Sequence, residues 1–259
     1  MIDFFIQIDY LLLIFCRVFF AWNFTPIVTE TKLPALARGG LSLILTLVVY
    51  SVLPNRTLNY AGTFLSYFIL IIQEIMVGLI ISFGISLFFQ IYYFVGHLLS
   101  TQGGLGMSMV MDPISSIQVP LLGKLYYMVF SAIFIITGGY HWFIKTLVES
   151  FTTIKVGGAF LESGQLLEEV VKAVTLFFEI GFKLAAPIMA VLFIIDCGLG
   201  ILARVVPQMN MFVIGLPLKL LILLGLVIIT IGLLPTFNDT IITYTTDFVE
   251  VLIRWMGGV

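Results

Sequence analysis

Hydrophobic residues in this chain come in runs too long for the elements of a soluble core. Apolar stretches cover residues 4–24, 40–53, 60–96, 125–144, 173–203 and 211–234, six segments in all. A helix rises about 1.5 Å per residue, and about 20 apolar residues cross the roughly 30 Å hydrocarbon core of a bilayer. The pattern therefore predicts an all-α, polytopic membrane protein of about six hydrophobic segments. Two segments have the wrong length for a simple span. Stretch 60–96 holds 37 residues, about 55 Å if straight. It either turns near Ser82-Phe83-Gly84 or runs on as one long helix shielded by protein neighbours, with no Pro or polar cluster to mark a loop. Stretch 40–53 is short for a span.

The end of the chain has a different pattern. After Pro235, Ile241, Tyr244, Phe248, Leu252 and Trp255 share one helix face, while Thr243, Asp247, Glu250 and Arg254 fall on others, so residues 237–259 predict an amphipathic surface or docking helix. Lys145 to Lys172 is the distinctly polar region; with Gly157, Gly158, Gly164 and the acids Glu162, Glu168 and Glu169 it reads as a solvated connector leading into a helix. Small residues recur at four-residue spacing at Gly78, Ser82 and Ser86, at Gly181 and Ala185, and at Ala186 and Ala190. Such stripes let another helix approach closely. Residues 1–259 are read as a single domain.

Composition strengthens the membrane reading: 61% of residues are hydrophobic and 10% charged. A net charge of −2, with twelve Lys and Arg scattered rather than clustered, points neither to nucleic acid nor to an anionic lipid surface. The basic residues of successive loops divide about evenly between the two faces, so they do not set an orientation. Cys16 and Cys197 lie in apolar segments without metal or redox spacing and are expected to be buried, inert thiols. No Lys or Arg precedes the first apolar run, Asp3 and Asp9 stand where a basic region would belong, and Arg17 interrupts it. The run is expected to be a retained first helix rather than a cleaved leader, despite the small residues at Ala35-Leu36-Ala37.

Charges inside apolar segments are the strongest functional signal, because each costs about 2.5–3.5 kcal/mol on insertion scales. Asp196 and Arg204 are eight residues apart, about 12 Å along a straight helix and beyond direct contact, so each is expected to find a polar partner in an assembly. Glu179 and Lys183, acid first at a spacing of four, predict an intrahelical ion pair. Pro187 lacks the amide that would bond the Lys183 carbonyl and predicts a kink. The stretch Gly103-Gly104-Leu105-Gly106-Met107-Ser108-Met109-Val110-Met111-Asp112-Pro113 combines backbone freedom, flexible thioethers and an Asp-Pro turn. It is either a compliant apolar plug or a simple inter-helix loop with core methionines.

Catalytic chemistry is not indicated. His97 and His141 have no neighbouring Cys or paired acids, no nucleophile and base come together, and no metal or cofactor site is expected. A secondary transporter would show repeated halves, and the segments before and after residue 130 share no similarity.

Several motifs in order resemble the FliR/SctT family of export-gate proteins in flagellar and virulence type III secretion. They are Arg17, Pro26, Leu33-Pro34 and Arg38-Gly39; Gln102 to Met107, on through Asp112-Pro113 to Pro120-Leu121-Leu122-Gly123; Gly138-Gly139; and Ala186-Pro187 through Asp196, Leu199-Gly200 and Arg204 to Pro207-Gln208. The segment Pro207 to Pro217 is similar to the flagellar branch in particular. Tyr140-His141 departs from the pattern, since many relatives have His directly after the two glycines. The resemblance implies helical hairpins packed in a hetero-oligomeric gate with FliP and FliQ, FlhB attached outside and FlhA nearby, in the bacterial inner membrane at the flagellar basal body. It implies no enzyme activity and no cofactor; unfolded flagellar subunits pass through the conduit. The family's plug loop falls on Gly103 to Pro120, with Gly103, Gly104, Gly106, Met107, Met109, Met111, Asp112 and Pro113 as gating residues. Arg17, Glu179, Lys183, Asp196, Arg204, Pro207 and Gln208 would be the polar residues of packing and assembly. Alternatives are the corresponding virulence-system subunit or, less favoured, a secondary transporter.

Overall fold

A computed structural model describes residues 2–30, 33–53, 63–105, 121–159, 163–208, 210–232 and 234–258. Its elements are all helices: α1 (Ile2–Asn23), α2 (Pro26–Glu30), α3 (Ala35–Val52), α4 (Phe64–Gln102), α5 (Leu121–Ile136), α6 (Gly139–Thr153), α7 (Ser163–Val205), α8 (Met211–Ile231) and α9 (Leu234–Met256). Among the described residues, α3, α4, α7 and α8 are long and apolar enough to cross a membrane, and α5 with α6 would make a fifth span if counted together. The chain is an all-α polytopic membrane protein.

The long apolar stretch is one helix. α4 runs 39 residues without a break at Ser82-Phe83-Gly84, where a Cβ on Gly84 would touch Val249, Leu252 and Phe248 at 3.1–3.4 Å. The flat spot there is a packing site for α9 and not a turn. By contrast, the apolar stretch 125–144 is two helices. Gly138 has φ +79°, a left-handed conformation that costs a side-chain-bearing residue strain and glycine little, and it caps the start of α6.

Residues Lys145 to Lys172 are mostly helix rather than a connector, since α6 continues to Thr153 and α7 begins at Ser163. Their polarity is that of a solvated helix surface. Lys145 pairs with Glu149 at 3.7 Å, and Lys172 with Glu168 and Glu169 at 2.9 Å each, spacings that support a helix by a few tenths of a kcal/mol, ~0.2–0.5 per pair. α7 also passes through Pro187 without interruption.

The helices form two compact units, residues 1–88, 135–173 and 242–259 in unit 1 and residues 89–134 and 174–241 in unit 2. In unit 1, Tyr10, Ile14, Val18 and Ala21 of α1 meet Val49 of α3, Leu53, and Leu147 and Phe151 of α6 in a buried cluster. The predicted small-residue stripe of α4 faces α1: a Cβ on Gly78 would lie 2.6 Å from the Arg17 carbonyl oxygen, and Ser86 Oγ donates to the Phe24 carbonyl at 3.2 Å. On α9, Ile241, Phe248 and Leu252 are buried and Thr243, Asp247, Glu250 and Arg254 exposed, as the amphipathic pattern requires, while Tyr244 is exposed against it.

Unit 2 is built on aromatic contacts. Tyr92 stacks on Phe130 with ring centres 4.4 Å apart, and Phe89 meets Phe130 edge-on at 4.6 Å and Phe134 at 5.0 Å. Each such pair adds about 0.5–1.5 kcal/mol beyond area burial. α4 and α5 cross at two glycines, where a Cβ on Gly96 would fall 2.3 Å from Gly123 Cα.

This crossing yields a test. Gly96→Ala should lower stability by about 1–3 kcal/mol, because backbone and not a movable side chain blocks the new methyl. Gly39→Ala, whose methyl would meet nothing within 4 Å, should be neutral or gain up to about 1 kcal/mol of helix propensity. Thermal unfolding in mild detergent compares the two, and equal stability of both variants would contradict the close crossing.

Candidate functional site

Two polar centres stand out from the apolar packing, one in each unit. The first is Arg17 of α1, whose side chain and that of Glu74 on α4 are 0% exposed. Arg17 Nε donates to Glu74 Oε2 at 2.5 Å and Nη2 to Oε1 at 3.0 Å. Its Nη1 donates to the carbonyls of Ser150 at 3.0 Å and Ile154 at 3.2 Å, and the guanidinium lies 4.2 Å over the Phe151 ring. Glu74 Oε1 also accepts the Gly157 N–H at 2.8 Å. A bidentate pair with further hydrogen bonds offsets the desolvation that an isolated buried charge would suffer. Gly157 is needed at its place: its φ is +75°, and a Cβ there would press on Leu70 at 2.9 Å. Arg17 is a residue singled out by the sequence; Glu74 was not. The available signal was that Glu74 is the one charged residue of stretch 60–96, opposite in sign to Arg17, the one base of stretch 4–24.

The second centre is Asp196 on α7. Its two carboxylate oxygens lie 2.7 and 2.8 Å from Lys219 Nζ on α8, and Oδ2 also accepts from Gln102 Nε2 at 3.1 Å. The expectation that Asp196 would find its partner elsewhere in an assembly is thus corrected, because the partner is in the same chain. Leu199 lies against Gly215 while Asp196 lies against Lys219, so α7 and α8 run antiparallel, and two residues at comparable distances from their turn come side by side. Arg204 stands exposed in the last turn of α7, where a cation favours the negative end of the helix dipole. Pro207 and Gln208 are exposed in the turn that follows. Glu179 and Lys183 form the expected ion pair at 2.6 Å, with both side chains exposed. Cys197 is exposed rather than buried, and Cys16 is half-buried: Cys197 points off the outward side of α7, beside exposed Phe193, Ile194 and Ile201.

Gln102 is the last residue of α4, so the Asp196 centre also holds the start of the glycine and methionine stretch. The Gly104 N–H donates to the Thr101 carbonyl at 3.3 Å and the Leu105 N–H to the Ser100 carbonyl at 3.1 Å. With Gly104 at φ +82°, this is the Schellman ending, in which a left-handed glycine satisfies the last carbonyls and turns the chain away. α8 packs on the turn: a Cβ on Gly103 would fall 2.1 Å from Leu223 Cδ2, and one on Gly104 2.8 Å from Leu216 Cδ2. Gly106, Met107, Met109, Met111, Asp112 and Pro113 lie outside the described residues. Beyond them, Gly123 rests on Gly96, so the chain leaves α4 and comes back to α4. Among the described residues, no three of the His, Cys, Asp and Glu side chains gather as metal ligands.

Comparisons with known proteins match most of the chain. Residues 8–244 match the profile of the bacterial export proteins, family 1. The flagellar biosynthetic protein FliR of Escherichia coli (strain K12) is 30% identical over 223 residues, 86% of this chain and 84% of that protein. FliR of Bacillus subtilis (strain 168) is 27% identical over 251 residues, 95% of each. The surface presentation of antigens protein SpaR of Shigella flexneri is 28% identical over 169 residues, 65% of each.

The Arg17 centre gives the sharper stability prediction. Arg17→Leu or Glu74→Leu alone leaves one buried charge unpaired and should cost about 3–5 kcal/mol. The double variant Arg17→Leu with Glu74→Leu should be less damaging than the sum of the singles, although the Gly157 N–H then loses its acceptor. Denaturation midpoints of the four proteins make the cycle, and additive losses would show that the two charges do not depend on each other.

Proposed function

The chain belongs to the bacterial export proteins, family 1, and from that premise we propose that it is a core subunit of the flagellar type III protein export gate. It would build a gated conduit with FliP and FliQ, with FlhB and FlhA beside it, in the bacterial inner membrane at the flagellar basal body. Unfolded flagellar subunits would be its cargo in transit. The observation that carries the flagellar reading is coverage: similarity to FliR of Bacillus subtilis extends over 95% of both chains, against 65% of both for SpaR of Shigella flexneri. SpaR similarity favours the corresponding virulence-system subunit as the second reading.

The fold supports a part in an assembly. Phe64, Ile136, Phe193, Ile194, Val205 and Ile228 are large apolar side chains more than 60% exposed, and apolar surface on this scale calls for lipid or protein cover. The gate itself would act passively. Met107, Met109 and Met111 would seal the conduit with side chains that deform around a passing polypeptide, since methionine's rotatable bonds and soft thioether adapt where branched side chains do not. The Schellman turn at Gly104 and the Gly96–Gly123 crossing would keep both ends of that seal in place while its middle yields. No covalent step and no cofactor is needed.

Co-expression tests the assembly: the chain should co-purify with FliP and FliQ and should be degraded or aggregate without them, while a stable, monodisperse monomer would count against the reading. A second measurement tests the seal. Replacing Met107, Met109 and Met111 together by Ala should leave the assembled complex at its normal level and raise its resting small-ion conductance. If those side chains are static core, each truncation should instead cost about 2–5 kcal/mol and the protein should be lost. An intact complex without added leak would refute the seal.

A further inference from the structure

Unit 2 holds a cavity of about 160 Å³ that neither polar centre uses. Its walls are Val95 of α4, Leu184, Pro187 and Ile188 of α7, and Leu234 and Phe237 of α9. Three hydroxyls also reach it, from Tyr92, Tyr126 and Thr230, yet each is already engaged. The Tyr92 hydroxyl donates to Asn238 Oδ1. Thr230 Oγ1 donates to main-chain carbonyls of its own helix at 3.0 Å, which leaves the Tyr126 hydroxyl to donate to Thr230 at 3.0 Å. The lumen therefore offers carbon and few free hydrogen-bonding groups. A water needs two to four polar partners, and apolar cavities near this size, about 150 Å³, stay dry and admit small hydrocarbons. The occupant that fits is a length of alkyl chain.

The mouth says what that chain belongs to. Lys183 lines the cavity, its side chain is 72% exposed, and it pairs with Glu179, 51% exposed, at 2.6 Å. Exposed Phe178 and Phe182 flank the pair on the same helix. An exposed ion pair on a membrane-length apolar helix is costly against bare hydrocarbon. Next to lipid headgroups the same pair offers a cation and an anion one helical turn apart, with no net charge. That arrangement matches a headgroup carrying one phosphate and one amine better than an anionic headgroup, which Glu179 would repel.

We propose that this cavity binds one acyl chain of an amine-headed zwitterionic phospholipid, with the lipid phosphate on Lys183 and its amine on Glu179. The site is independent of the methionine seal and of the two polar centres.

Photolabelling of the co-expressed complex in lipid nanodiscs tests this. Phosphatidylethanolamine carrying a diazirine in one acyl chain should insert preferentially at Leu184, Ile188 and Phe237. Phosphatidylglycerol with the same chain should label those residues about fivefold less, the scale of one solvent-accessible ion pair. Lys183→Glu, a change at an exposed side chain, should cut phosphatidylethanolamine labelling by a similar factor at unchanged protein level. Leu184→Phe should fill the cavity and abolish labelling inside it. Labelling spread evenly between the cavity and exposed Phe193 and Ile194 would overturn the proposal, as would equal labelling by the two lipids. Photo-activatable leucine that joins Leu184 to a neighbouring subunit instead of to lipid would overturn it as well.

Discussion

Unit 1 depends on one buried ion pair. Arg17 and Glu74 are fully enclosed and meet through two hydrogen bonds, and around them stand the Ser150 and Ile154 carbonyls, the Ser150 hydroxyl, the Gly157 N–H and the Phe151 ring. The carbonyls of Ser150 and Ile154 lie at the end of α6, where the Ser150 carbonyl already accepts the Ile154 N–H at 2.8 Å and Arg17 adds a further donor to both carbonyls. Arg17 supplies donors to that end, and Glu74 supplies an acceptor to the turn that follows. A single pair thereby joins α1, α4 and the exit of α6. Hydrophobic side chains alone would not do this, because in lipid, apolar surface gains little by moving from hydrocarbon to protein and packing and polar contacts must supply specificity.

Close helix approach is the condition for that pair. Gly78 lets α4 come near enough to α1 that a Cβ would collide with the Arg17 carbonyl, and Glu74 sits one turn earlier on the same helix. Shape and charge therefore act together: small residues set the distance and the ion pair sets the register. Unit 2 repeats the logic with different residues. Gly96 meets Gly123, Gly215 meets Leu199, and Asp196 ties α7 to α8 and to the end of α4. The two pairs differ in burial, for Lys219 is 13% and Asp196 38% exposed. Partial access of solvent or headgroups weakens the Asp196 pair relative to the enclosed Arg17 pair, so the α4 terminus beside it is held less tightly than the exit of α6.

Much of this was legible in residue order, for reasons that are physical. Apolar length and period identify membrane helices directly, and the amphipathic face of α9 follows from its repeat. The Glu179–Lys183 pair lies within one helix and needs only a spacing rule. Contacts between helices were harder. Arg17 was conspicuous but its partner was not, because nothing local links position 17 to position 74. Asp196 was conspicuous for the same reason, yet its partner Lys219 required knowing that α7 and α8 fold back antiparallel. A helix end at Gly138-Gly139 was legible, but the new helix that starts at Gly139 was not, because the apolar run continues through the glycines. Polar residues 145–172 misled in the other direction, since charged side chains on a solvated helix have the composition of a loop.

The outward surface argues that the described fold is one part of a larger structure. Residues 201–208 at the end of α7 are all exposed and mix apolar Ile201, Leu202, Val205 and Val206 with the cation Arg204. Bare lipid suits the first group and penalises the second; water does the reverse. A protein neighbour that covers the apolar side chains and brings an acceptor to Arg204 satisfies both. The same holds for α3, where Ser42, Thr46 and Val49 are buried while Leu43, Ile44, Leu47 and Val48 face out. α3 thus turns its small polar side chains inward, toward Asn23, which donates to Ser42 Oγ at 3.1 Å, and offers its apolar side to the surroundings. A helix that spends its polar groups on its own chain and its apolar ones outward is built for cover by lipid or by other helices, which is the surface a subunit of a membrane export apparatus needs.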